Sequence, residues 1–160
     1  MKKIIIGCDP GASGGIAARC GRDILTRKLD GNLHELALWI NGLRYKFEDE
    51  PPVIYIEEVP KYVGRNIPSS SSFTLGKSFG ELLGLSTGLG LRIERVRPQE
   101  WQKDVGAGSR KGYFGSLKKC DTTWKNHLKS LACDYFPTVK GRLWNADALL
   151  LLEYGTKREF

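Results

Sequence analysis

The run Ile4-Ile5-Ile6, closed by Asp9 just before Pro10-Gly11, limits the fold more than any other feature of the chain. Consecutive β-branched residues with no polar alternation read as a strand covered on both faces. Such a strand belongs inside a sheet flanked by helices. The strand spans Lys3 to Asp9, and Pro10-Gly11-Ala12-Ser13-Gly14-Gly15 turns the chain tightly after it. The basic start, Met1-Lys2-Lys3, resembles the opening of a secretion signal. The acid and glycines that follow at once leave the apolar stretch too short for one.

The pattern downstream fits that first strand. Ile16 to Arg19 and Ile24 to Lys28 read as antiparallel strands joined at Gly21-Arg22-Asp23, completing a three-stranded meander. Asn32, with Glu35 three residues on, starts a helix over 33–46 in which Leu33, Leu36, Ala37, Ile40 and Leu43 share a face. Val53 to Ile56 is a short apolar strand, expected to be central and parallel to the first. Lys61 to Ser72 is polar, with four consecutive serines, and reads as a mobile loop. A helix over 73–89 carries Gly76, Gly80, Gly84 and Gly88 on one stripe. Each glycine costs about 1 kcal/mol against alanine in a helix. The stripe therefore implies that a second backbone comes close: the sheet, a partner helix or a nucleic-acid strand.

Leu91 to Val96 is a further strand, and Arg97-Pro98 opens a short helix. Gly106 to Gly115 reads as a flexible basic loop. Trp124, Leu128, Leu131 and Tyr135 mark a helix stopped by Pro137, and Asn145 is placed to cap a last helix over 146–157. The sum is one α/β domain over 1–160, a mixed sheet sandwiched by helices. At 160 residues there is no room for a second domain.

Composition narrows the class. The longest apolar run, Ala146 to Leu152, contains an aspartate and is far below the roughly 20 residues of a membrane span. Cys8, Cys20, Cys120 and Cys133 form no CxxC pair, and His34 and His127 lie far from them. Free thiols in a reducing cytoplasm are the plain reading, rather than zinc ligands. The net charge is +7. Between Trp101 and Ser130 there are seven bases, Lys103, Arg110, Lys111, Lys118, Lys119, Lys125 and Lys129, against two acids, Asp104 and Asp121. Such a stretch is either a solvated surface or an edge that tracks phosphates.

Three carboxylates carry the candidate chemistry. Asp9 ends the first strand, Glu57 ends the Val53–Ile56 strand, and Asp147 lies in the first turn of the last helix. Each has a plain alternative. Asp9 could shape the turn before Pro-Gly, Asp147 could favour the helix dipole, and Glu57 could be half of an exposed pair with Glu58. Taken together they point elsewhere, because parallel strand ends lie side by side and clustered carboxylates repel unless a cation neutralises them. Oxygen ligands of this kind suit Mg²⁺ or Mn²⁺. Two such ions, an activated water and a stabilised leaving oxygen are the parts of phosphodiester hydrolysis.

At these residues the chain resembles the RuvC-like Holliday junction resolvases of bacteria and phages, of the RNase H-like superfamily. The resemblance runs through nearly the whole chain. It rests on Ile6-Gly7-Cys8-Asp9-Pro10-Gly11, Ile56-Glu57-Glu58-Val59, Leu75-Gly76-Lys77-Ser78-Phe79-Gly80, Pro98-Gln99-Glu100-Trp101-Gln102-Lys103 and Ala146-Asp147-Ala148-Leu149, in that order. The D-P-G element alone also occurs in sugar kinases and actin-like ATPases, but those need two domains. The resemblance implies an RNase H-like fold with a central mixed five-stranded sheet. It also implies a homodimer and paired, two-metal cleavage at a four-way DNA junction, in a bacterial nucleoid or a phage-infected cell. It gives Asp9, Glu57 and Asp147 metal-binding catalytic roles. Lys125 becomes the basic residue near the scissile phosphate. Lys103 becomes a second, although a strict match puts Gln102 there.

The chain departs from the family at three places. Trp144 stands where the family has a fourth acidic or histidine ligand, so Asn145 through its amide oxygen, or Glu153 from the next turn, is the expected substitute. Pro60 stands where some members carry an aromatic wedge, and Tyr62 is the expected base-stacking group. Val105 to Thr123 is longer and more basic than usual, and is expected to touch DNA or the partner subunit. Three rival readings remain: a same-fold nuclease for flaps, forks or RNA–DNA hybrids; a junction binder without activity; and, most remote, an actin-like protein.

Overall fold

A computed structural model describes residues 3–45, 51–59, 68–110 and 121–160. Five strands form one sheet: β1 (Ile4–Asp9), β2 (Gly15–Cys20), β3 (Asp23–Lys28), β4 (Val53–Glu57) and β5 (Arg92–Val96). Their order across the sheet is β3-β2-β1-β4-β5. β3, β2 and β1 form the antiparallel meander, and β4 and β5 add in parallel to β1. The helices are α1 (Leu33–Arg44), α2 (Ser69–Gly88), α3 (Pro98–Asp104), α4 (Asp121–Tyr135) and α5 (Ala146–Glu159).

β1 is central, and its side chains divide between two cores. Ile4, Ile6 and Cys8 join Ile16, Ala18, Ile54 and Ile56 under α1 and α2. Ile5 joins Ala17, Val53 and Tyr55 under α4 and α5. That division is why the strand is apolar at every position. The α5 helix lies between the sheet and α4, so Leu149, Leu150, Leu151 and Leu152 are all buried. No helix among the described residues is long and apolar enough to cross a membrane.

Three expectations need correction. The α2 helix begins at Ser69, so the serine run is helical, and 61–67 of the expected loop lies outside the described residues. Hydroxyls in its first turns are satisfied locally. Ser72 Oγ donates to the Pro68 carbonyl at 3.4 Å and Thr74 Oγ1 to that of Ser70 at 2.8 Å. Second, among the described residues nothing beyond the helix's own nearby backbone and the adjacent positions comes within 4 Å of a β-carbon built at Gly76, Gly80, Gly84 or Gly88. The sheet is therefore not what the stripe accommodates; α2 buries Leu82 and Ser86 instead. Third, Asn145 holds the N-cap position of α5 without a side-chain cap. By contrast, Asn32 caps α1 as expected, accepting from the Glu35 backbone at 3.1 Å.

Candidate active site

Register brings the first two carboxylates together. β1 and β4 pair from Ile5↔Val53 to Cys8↔Ile56, so the next step along places Asp9 beside Glu57. Side chains alternate along a strand. Positions 9 and 57 therefore share the face of Ile5, Val53 and Tyr55, the face that α5 covers.

Close backbone packing brings in the third. A β-carbon on Gly7 would stand 2.3 Å from the Ala148 carbonyl oxygen and 2.4 Å from the Leu152 nitrogen. Only glycine lets α5 lie this tightly on β1, and Asp147 is the neighbour of Ala148. On the other side of Asp9, β2 contributes Gly15, its antiparallel partner. A β-carbon there would meet the Trp144 carbonyl at 2.5 Å and its indole ring at 2.8 Å.

The three acids, each half-buried, perturb one another. Burial raises the Asp9 pKa well above the carboxylate range, and the charges of Asp147 and Glu57 add to it. Burial and the charge of Asp147 lift Glu57 to about 7. Burial lifts Asp147 to about 6. One cation opposes this: Lys125, exposed on α4, pulls both Asp9 and Asp147 down. Glu57 has a different counterweight, because Trp101 Nε1 donates to its Oε2 at 2.8 Å.

The donor chemistry fits a divalent cation. Three hard carboxylates, each costly to ionise alone, gain most from a compact positive charge. Among the described residues, no three Asp, Glu, His or Cys side chains are gathered closely enough to cage an ion as they stand.

No protein-family model matches the sequence, and no curated protein does. Solved structures do match in shape. Thermus thermophilus RuvC in complex with a Holliday junction substrate aligns with TM-score 0.54 and 14% identity, over 98% of this chain and 96% of that one. A second structure of Thermus thermophilus RuvC aligns with TM-score 0.55, at the same identity and coverage. The fold is that of RuvC. The mixed five-stranded sheet flanked by helices is the architecture that the resemblance implied.

On this RuvC fold, the substitutes expected for a fourth ligand are occupied elsewhere. Asn145 is buried; its Oδ1 accepts from the Arg142 backbone at 2.7 Å and its Nδ2 donates to the Lys140 carbonyl at 3.2 Å. The amide thus ties the loop before α5. Glu153 lies 3.9 Å from Arg19, as an ion pair, instead of reaching back to Asp147. Trp144 packs on Gly15.

The expected DNA-binding residues come from more than one element. Lys103 is exposed in the last turn of α3, Arg110 is exposed, and Lys129 is half-buried on α4. Lys111, Lys118, Lys119 and Tyr62 lie outside the described residues. The start of the long connection is anchored rather than loose. Tyr135 Oη donates to the Val105 carbonyl at 3.2 Å, and His127 Nε2 lies 3.1 Å from the Ala107 carbonyl.

Sequence reasoning missed Trp101 as a member of the site. Its signal was the indole itself: a tryptophan at an apolar position of a short helix must find an acceptor when buried.

Proposed function

We propose that this chain is a divalent-metal-dependent endonuclease that resolves four-way DNA junctions by paired nicks, acting as a homodimer. The observation that carries the reading is the convergence of Asp9, Glu57 and Asp147, opposed by Lys125, on a RuvC fold. Two ions, Mg²⁺ or Mn²⁺, held by these three carboxylates would lower the pKa of a bound water and neutralise charge on the leaving 3′-oxygen. The chain's own residues supply the rest. Asp9 comes from the sheet centre and Asp147 from the helix packed on it, so both are rigidly placed relative to each other. Lys125 offers an ammonium to a phosphate oxygen without burying its charge. Lys103, Arg110 and Lys129 hold the DNA backbone, with Lys111, Lys118 and Lys119 joining them from the basic connection. Tyr62 takes the base-stacking role.

The dimer is supported by α2. Its glycine stripe is open to a second backbone, and Phe73 on the same helix is 72% exposed. Sedimentation at micromolar concentration checks it: a two-chain mass is expected, and a monomer on junction DNA would remove this part.

A specific observation favours a second reading. Trp144 offers no metal-binding oxygen, and Asn145 and Glu153 are engaged with other partners, which fits a protein that binds junctions and does not cut. A panel of labelled four-way junction, fork, flap and linear duplex separates the readings. Symmetric nicks confined to the junction support the resolvase. Preferential cutting of forks or flaps points to a same-fold nuclease of other specificity, and tight junction binding without cutting points to the binder.

A further inference from the structure

We infer that Trp101 is the positioning residue for the metal-binding carboxylate Glu57, an inference that rests on the metal-centre reading above. Trp101 is fully buried, and its Nε1 donates to Glu57 Oε2 at 2.8 Å across 44 positions of sequence. The indole is locked on every side that matters. It belongs to the core formed by Val96, Val105, Trp124, Leu128 and Ala148. The helix bearing it is short but firmly started. Pro98 occupies its first turn, and the Glu100 carboxylate accepts from the Arg97 backbone at 3.4 Å and its guanidinium at 3.0 Å.

The path of the chain makes this contact a property of the sheet end. Glu57 pairs with Val96, the last residue of β5, and α3 starts two residues later. The helix therefore folds back beneath the end of β4, and the first large apolar side chain on its inner face arrives under Glu57. A valine or leucine there would be equally apolar but would offer Glu57 no donor. The indole adds a single directed donor, and one donor suffices to choose one orientation of a flexible glutamate. Carboxylates that hold metals are themselves held by outer hydrogen bonds, and losing such a bond typically costs about 10–100-fold in metal affinity or activity.

The test is Mn²⁺ binding to the full-length protein by calorimetry, with no DNA and no turnover. Wild type, Trp101→Phe and Val105→Ala are compared, each with its thermal midpoint. Val105 is buried in the same core and offers Glu57 no side-chain donor, so it reports the effect of packing alone. A further variant replaces Trp101 by 3-benzothienylalanine, which keeps the bicyclic ring and lacks the N–H; it decides the matter if Trp101→Phe does not fold. The expected result is Mn²⁺ binding about tenfold weaker or worse in both Trp101 variants, and unchanged in Val105→Ala. Unchanged affinity in the benzothienyl variant, or equal weakening in Val105→Ala, overturns the inference while leaving the metal centre intact. Wild type that binds no Mn²⁺ at millimolar concentration would instead remove the metal-centre reading itself, and the inference with it.

Discussion

Gly7 and Ala148 meet backbone to backbone: a β-carbon on Gly7 would lie 2.3 Å from the Ala148 carbonyl oxygen. This contact seats α5 on the central strand, two residues before Asp9 and one residue after Asp147. The site geometry is therefore set by close backbone packing of helix on strand. Gly7→Ala must push helix from strand, because backbone on both sides cannot rotate away. The expected cost is about 3 kcal/mol or more, the upper end of overpacking penalties. Urea denaturation midpoints measure it; a variant as stable as wild type would mean that α5 can slide without penalty.

The carboxylate cluster should make the metal-free protein sensitive to pH in a defined direction. Glu57 is raised from 4.5 to about 7, and Asp147 from 3.8 to about 6. A group with a raised folded pKa contributes stability below its unfolded pKa and loses it as pH rises through the folded value. Wild-type stability in EDTA should therefore fall between about pH 4 and pH 7 relative to a Glu57→Gln/Asp147→Asn double variant. Parallel thermal midpoints for the two proteins across that window would contradict the coupling. Mg²⁺ should restore stability at pH 7.5 and have little effect at pH 4.5.

A trade-off between stability and activity follows for single variants. Asp147→Asn removes one like charge from the cluster, so in EDTA at pH 8 it should stabilise the fold by about 1–2 kcal/mol. The same variant should lose junction cleavage. Destabilisation in EDTA at pH 8 would show that Asp147 has a favourable structural partner instead.

Lys125 is exposed yet acts on two of the acids. Its replacement should hardly alter folding. Lys125→Ala should lower the cleavage rate about 10²-fold, the scale expected when a transition-state donor is removed, with Lys125→Arg recovering part of it. An unchanged rate in single-turnover cleavage would remove Lys125 from the site.

Binding to DNA should be salt-dependent through the basic residues. Replacing Lys129 or Arg110 by alanine should reduce the slope of log affinity against log salt by about 0.9 for each phosphate left unneutralised. Deleting 107–118 should weaken junction binding further. Equal slopes and affinities in wild type and variants would sink the phosphate-tracking role of this stretch.

The fold was largely legible because its signals are local. An isoleucine run that feeds two cores has to be apolar at each position, and the Asn32 cap and the Pro98 start are chemistry within four residues. The acids were legible because charge at the end of a buried strand is costly without a purpose. What escaped depends on contacts distant in sequence. Trp101 meets Glu57 across 44 positions, and no local pattern announces that an indole points at a carboxylate. Asn145 looked like a cap, since that role needs only its type and place; its side chain bonds instead to residues 140 and 142. Serines 69 to 72 favour loops by propensity, and here the helix beyond them overrides that preference.

The most direct test of the central claim is cleavage of a labelled synthetic four-way junction by wild type and Asp9→Asn, with Mg²⁺, Mn²⁺ or EDTA. Symmetric paired nicks are expected that require metal, are absent in EDTA and vanish in Asp9→Asn. Nicks that persist in Asp9→Asn or in EDTA, or a junction bound tightly and left uncut with either metal, would contradict it.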